Sequence, residues 1–364
     1  MSVCVQRHLR GWGVPACGPQ PASPPLPPCR TDYPVFLRRR FAGPLLRGVL
    51  DMEPGQHAKT MSPLPILLNA TAGGSGKEDL RERLADLFRA HGLEVTLAFA
   101  HSGVELVELA RQSARHAGEL VVAGGGDGTI NAVASALLGT NKVLGVLPLG
   151  TLNHFAKDVH IPLALDSAVQ TILEGRIMAV DVGDVNGHIF LNNSSLGIYP
   201  HLVHEREAHQ QQGRSKGFAL CLAALRVLYR YPRVRVHIRV DGQALVRMSP
   251  LLFVGNNDYS LEGRQLGART CLDQGRLCVY VLHQTGRWGL LRLLCHLLLG
   301  QRQAATDFDA LSTPALSVEA RRPHQRLRVA IDGEVIMLRA PLHYRIRPAA
   351  LHVIVPSMAG EAQP

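Results

Sequence analysis

The segment Val121-Val122-Ala123-Gly124-Gly125-Gly126-Asp127-Gly128-Thr129-Ile130-Asn131 constrains this chain more than any other. Its apolar start reads as a buried strand, the glycines as a turn with an acid at its centre, and the residues that follow as a helix start. A strand running through such a turn into a helix is a unit of a parallel, helix-covered sheet. Glycine permits positive φ and close backbone approach to phosphate, and the helix N-terminus adds unpaired N–H groups and a positive dipole end. Two other phosphate motifs fail here. The Walker spacing around Gly76-Lys77 finds Thr71 and Glu78 at its required positions, and GxGxxG begun at Gly124 and Gly126 would need glycine at Thr129.

The surrounding sequence repeats the pattern. Ile66 to Leu68, Val95 to Phe99, Leu120 to Ala123 and Val143 to Leu147 read as continuous apolar strands. Leu80, Leu84, Leu87 and Phe88, then Val104 to Ala114, then Ile130 to Leu138, show helical spacing. We therefore expect a doubly wound parallel α/β domain over residues 62–185. Beyond it the texture turns to β-branched and aromatic alternation, as in Val234 to Val240, Leu251 to Val254, Leu277 to Leu282, Leu327 to Ile331 and Leu351 to Val355. This predicts an antiparallel, sandwich-like β domain over 186–356, with inserted helices at Gly217 to Arg230 and Trp288 to Gln303, and a tail over 357–364.

Residues 1–60, rich in Pro, Gly and Arg, read as a disordered extension, and translation from Met52 or Met61 would still include every patterned segment. The 39 Lys and Arg against 29 Asp and Glu give a net charge of +10, which favours anionic partners. The seven cysteines form no CxxC pair, so neither a zinc site nor a disulfide framework is expected, and a reducing cytoplasm is. No apolar run reaches the roughly 18–20 residues of a membrane-spanning helix. The longest candidates, Phe218 to Leu228 and Leu290 to Leu299, contain Arg226, Arg292 and His296.

Four segments together resemble one family. Gly125-Gly126-Asp127-Gly128-Thr129 is similar to the GGDGT signature of diacylglycerol kinases, sphingosine kinases and their bacterial lipid kinase relatives. Asn69-Ala70-Thr71-Ala72-Gly73-Gly74-Ser75 resembles that superfamily's first nucleotide loop, NPxSG, Gly150-Thr151-Leu152-Asn153-His154-Phe155-Ala156 its GTxNDFA, and Asp332-Gly333-Glu334 its DGE. The resemblance spans residues 64–356 and implies a Mg²⁺-dependent kinase that moves the γ-phosphoryl of ATP to a lipid hydroxyl. It implies nucleotide contacts at Asn69, Thr71, Gly73, Ser75, Gly125, Gly126, Asp127, Gly128, Thr129, Asn131, Gly150, Thr151 and Asn153. It implies Mg²⁺ at Asp127 and Glu334 as base, with Asp332 the fallback.

The chain departs from the pattern at Ala70, at Ala132, and at His154, where the motif has an acid. Leu272-Asp273-Gln274-Gly275 resembles a DDGxL segment that holds a structural Mg²⁺, yet its second acid is Gln274, a poorer hard-cation ligand. Taken as residues alone, Asp273 to Gly275 and Asp332 to Glu334 also fit plain turns, Thr151 fits a helix cap, and Ser75 fits a position near one. The partners implied are a lipid and the inner membrane surface, reached peripherally, with no nucleic acid and with room for a homodimer. Two other readings stay open, an NAD kinase-like enzyme with a soluble acceptor and a non-catalytic lipid or nucleotide sensor.

Overall fold

The computed structural model describes residues 63–70, 76–115, 118–197, 234–240, 243–259, 269, 271–282, 308–320 and 324–357. The 1–60 extension, Thr71, Gly73 and Ser75, the two inserted helices with their apolar runs, and the tail beyond 357 lie outside these residues.

The first strands are β1 (Leu64–Asn69), β2 (Val95–Ala100), β3 (Leu120–Gly125) and β4 (Val143–Pro148). They align in parallel in the order β2-β1-β3-β4. Ile66, Leu67 and Leu68 are all buried, as are Val121, Val122 and Ala123. Successive strand residues point to opposite faces, so an unbroken buried run requires cover on both. Helices α1 (Lys77–Arg89) and α5 (Leu165–Glu174) pack against each other, as do α2 (Gly103–Ala114) and α3 (Asp127–Leu137). Ser102 opens α2 by accepting a hydrogen bond from the Glu105 N–H (3.1 Å), and the Glu105 side chain accepts from the His101 N–H (2.7 Å). This is close to a capping box.

The short α4 (His154–Asp158) precedes α5, and β5 (Arg176–Val185) leads to β6 (His188–Phe190) and β7 (Asn193–Gly197). Then come β8 (Val234–Val240), β9 (Gln243–Ser249), β10 (Leu251–Asn256), β11 (Leu277–Leu282), β12 (Phe308–Thr313) and β13 (Ala315–Glu319). The chain closes with β14 (Arg326–Ile331), β15 (Glu334–Arg339) and β16 (Leu342–Val355). A second, antiparallel sheet has the order β12-β11-β10-β7-β14-β15.

The first sheet is mixed rather than wholly parallel. The 14-residue β16 pairs antiparallel with β13 through Leu342–Arg345, then parallel with β4 through His352 and Val353. Between those halves the register with β5 shifts and Ala349 takes a positive φ of 49°. The buried Asp181 carboxylate accepts the Ala349 N–H at 2.9 Å, which explains an acid inside an apolar strand. Leu351, Val353, Ile354 and Val355 complete the first core, while Leu342, Tyr344 and Ile346 belong to the second. The last strand thus crosses the boundary expected at residue 185.

Among the described residues no helix is long and apolar enough to cross a membrane. Cys278 is free and buried, but Cys271 is disulfide-bonded, contrary to the expectation of unpaired cysteines. Spacing carried no sign of it, because a disulfide depends on approach in space.

Candidate active site at the carboxyl ends of β1 and β3

Chain order reverses between β1 and β3, where successive crossovers depart in opposite directions. Open α/β sheets leave a crevice at the carboxyl ends of strands at such a point. Asn69 ends β1 there, and Gly125 ends β3 beside it, with Leu68 in register with Gly124. Gly126 is the N-cap of α3 and supplies no side-chain acceptor, so the first N–H groups of the helix receive no such cap.

The glycines are required by what touches them. A Cβ on Gly125 would lie 2.5 Å from the Thr129 hydroxyl, whose buried side chain folds back under the turn. A Cβ on Gly150 would lie 2.3 Å from the Gly126 Cα. The turns after β3 and β4 therefore meet backbone to backbone.

Two further residues hold that arrangement. Asp127 accepts hydrogen bonds from the N–H groups of His154 (3.1 Å) and Phe155 (3.0 Å), capping α4 from a neighbouring turn. Asn153, buried and left-handed (φ 50°), accepts from the Gly150 N–H at 3.0 Å. Its amide donates to the carbonyls of Gly150 (2.8 Å) and Pro148 (3.3 Å). The Asn153 side chain is therefore engaged in shaping the turn, and Thr151 and His154 stand exposed beside it.

The Asp332-Gly333-Glu334 turn arrives from the second sheet. The Asp332 carboxylate accepts from the N–H groups of Leu191 (2.8 Å), Asn192 (2.9 Å) and Asn193 (2.9 Å), and from the Asn131 amide (2.6 Å). Asn131 also donates to the Ile189 carbonyl at 3.1 Å. Burial pushes the Asp332 carboxyl above the usual carboxylate range, and the surrounding donors pull it back. The backbone of its turn is partly exposed, but the carboxylate itself is enclosed. Two residues on, Glu334 is exposed, and its Oε1 lies 2.6 Å from where a Cβ on Gly128 would stand. Both acids of this turn thus approach the first two turns of α3, one by a bonded network and one by an unobstructed carboxylate.

The donor chemistry fits one kind of cation better than another. No three of His, Cys, Asp and Glu converge among the described residues, so there is no all-protein cage. Mg²⁺ held largely by substrate phosphates and water needs only one or two carboxylates, and Asp127 places one at the start of α3. The Asp273–Gln274 turn fits less well. Asn257 Oδ1 accepts the Gln274 N–H (3.1 Å), Asp181 Oδ2 accepts the Gly275 N–H (2.6 Å), and Gly275 has a φ of 68°. Protein groups already close this turn. The Gln274 side-chain oxygen is buried without a hydrogen-bond partner, and as a neutral oxygen it is a poorer hard-cation ligand than a carboxylate in that position.

Sequence reasoning passed over Asp158, Asp181, Asn256 and Arg269. Their only signal was polarity inside apolar segments, as with Asp181 and Asp184 within the β5 run.

This geometry agrees with comparison to known proteins. Residues 63–185 match the diacylglycerol kinase catalytic domain, and residues 202–355 match the YegS C-terminal NAD kinase beta sandwich-like domain. The chain belongs to the diacylglycerol kinase catalytic-domain superfamily. It is 27% identical over 307 residues to a "Probable lipid kinase YegS-like" of Pectobacterium atrosepticum, covering 81% of this chain and 98% of that one. A Klebsiella pneumoniae protein of the same description is 28% identical over 304 residues, with the same shares covered. A crystal structure of a diacylglycerol kinase from Bacillus anthracis superimposes with a TM-score of 0.58 at 19% identity, covering 80% of this chain and 96% of that chain. That likeness concerns the fold. The chain is thus lipid kinase-like, with a mixed α/β first domain and an antiparallel second one.

Proposed function

We propose that this protein transfers the γ-phosphoryl group of ATP to a hydroxyl of a lipid, diacylglycerol-like or sphingoid. The observation that carries this reading is the approach of Glu334 to Gly128, which brings an exposed carboxylate to a glycine-lined helix N-terminus. Phosphoryl transfer is largely positioning and charge neutralisation, with one group to take a proton. The turn at Gly125, Gly126, Gly128 and Thr129, with Gly150 packed against it, receives the phosphates on backbone N–H groups. Asn69, Thr71, Gly73, Ser75 and Thr151 extend the nucleotide contacts in this reading, while Asn131 and Asn153 keep the turns in place. Mg²⁺, held at Asp127, would neutralise the phosphate charge.

Glu334 accepts the proton of the acceptor hydroxyl. Asp332 serves better as anchor than as base, since its oxygens are occupied by four donors. The net charge of +10 suits work on an anionic lipid surface, here assigned to the inner, cytoplasmic face of a membrane.

The test is incubation with γ-labelled ATP, Mg²⁺ and a mixed lipid extract, beside Asp127→Ala and Glu334→Gln. Label that enters the organic phase and is lost in both variants supports the reading. Label confined to a soluble nucleotide product would replace the lipid by a soluble acceptor. Bound ATP without any transfer would make the protein a sensor.

A further inference from the structure

Arg269 takes no part in the chemistry above, yet its guanidinium is engaged by several acceptors at once. Its side chain is 0% exposed and that of Asp158 13%. Nε and Nη2 reach Asp158 Oδ2 at 2.8 and 2.7 Å. Nη1 donates to the carbonyls of Leu191 (2.5 Å) and Asn256 (3.2 Å), and Nη2 donates to Asn192 Oδ1 (2.8 Å). The Tyr259 ring lies 5.8 Å away, and its hydroxyl donates to the Asn192 carbonyl at 2.8 Å.

Asp158 ends α4, the helix whose first turn is capped by Asp127. Leu191 and Asn192, held by Arg269 through a carbonyl and a side chain, are the residues whose N–H groups hold Asp332. A continuous path of hydrogen bonds therefore runs from the Asp127 turn through α4 to Arg269, residues 191–193 and the Asp332 turn. Net stability is a weak reason for such a pair, because burying two charges costs about what their attraction returns. What the guanidinium supplies is a planar fork that fixes several acceptors at once, which a lysine cannot reproduce.

We propose that Arg269 is a positioning residue: anchored on Asp158 in the first domain, it sets the 191–193 peptides so that they hold Asp332 and thereby deliver Glu334 to Gly128. Its kinetic consequence rests on the phosphoryl-transfer reading; its structural consequence does not.

The experiment is hydrogen exchange on the full chain, wild type against Arg269→Lys, with turnover measured in parallel. Arg269→Lys is expected to speed exchange of the 191–193 amides and of the 332–334 turn by roughly tenfold or more, with β1 and β3 unchanged. Turnover should fall by about 10- to 100-fold while KM for ATP stays within about twofold. Because Arg269 acts through Glu334, Arg269→Lys combined with Glu334→Gln should be no slower than Glu334→Gln alone. Unchanged protection at 191–193, or loss spread evenly over the chain, overturns the proposal, and so does a double variant in which the two effects multiply. Should Arg269→Lys fail to fold, Asp158→Asn, which keeps the shape and removes the charge, is read by the same criteria. If the wild type phosphorylates no lipid, the proposed function fails, and the exchange pattern alone decides the role of Arg269.

Discussion

Asp127 and Asp332 each stand just before a glycine and both accept backbone N–H groups, but over different reaches of chain. Asp127 takes His154 and Phe155, 27 and 28 residues away and within the same sheet's loops. Asp332 takes Leu191, Asn192, Asn193 and Asn131, from 139 to 201 residues away. The first acid is partly exposed and sits over the candidate phosphate site; the second is enclosed and joins two cores. One motif type therefore does two jobs, and burial with donor count separates them.

The sharpest way to break this contrast is Asp332→Ala, which leaves three N–H groups and the Asn131 amide without their acceptor. Chemical denaturation should show a loss of about 3–5 kcal/mol. A loss like that of a surface substitution would remove Asp332 from its structural role.

Gly150→Ala comes next, since its Cβ would meet the Gly126 Cα, a backbone atom that cannot swing aside. Overpacking of about 1–3 kcal/mol and weakened nucleotide binding are expected, read by thermal unfolding with and without ATP.

Asp127→Ala should cost only about 1 kcal/mol, the value of a helix cap, while phosphoryl transfer falls by roughly 100-fold or more. Equal destabilisation by the two aspartates would erase the distinction between them.

Gly128→Ala meets only the movable end of Glu334, so stability should change by less than about 1 kcal/mol while turnover drops. Retained turnover would argue against Glu334 as base.

The smallest effect concerns His352, whose imidazole burial holds below its usual 6.5. The unfolded chain then takes up the proton first, so stability declines as pH falls below about 6.5 toward the lower folded value. His352→Gln should flatten that limb in denaturation series at pH 7 and 5.

The first domain was largely legible in the sequence because its information is local. Buried parallel strands are continuous apolar runs, helices between them carry their own spacing, and the glycine turns sit at strand ends. Even the strands of the second domain showed in their composition, with Val234–Val240 and Leu277–Leu282 read at the bounds they occupy. Gly128 and Glu334 could be named as parts of one site only through family resemblance, since nothing local links residues 206 positions apart.

The sequence by itself determined the alternation of elements, the glycine turn with its acid, and the superfamily to which they belong. Tertiary structure alone decided that Asn131 and Asn153 brace the turns, that Asp181 holds a bulge, and that β16 runs through both cores. It also decided the partners of Arg269. The physical reason is that periodicity records which face of an element is buried, whereas a buried polar group is satisfied by whatever donor or acceptor the fold brings to it. That partner can lie anywhere in the chain.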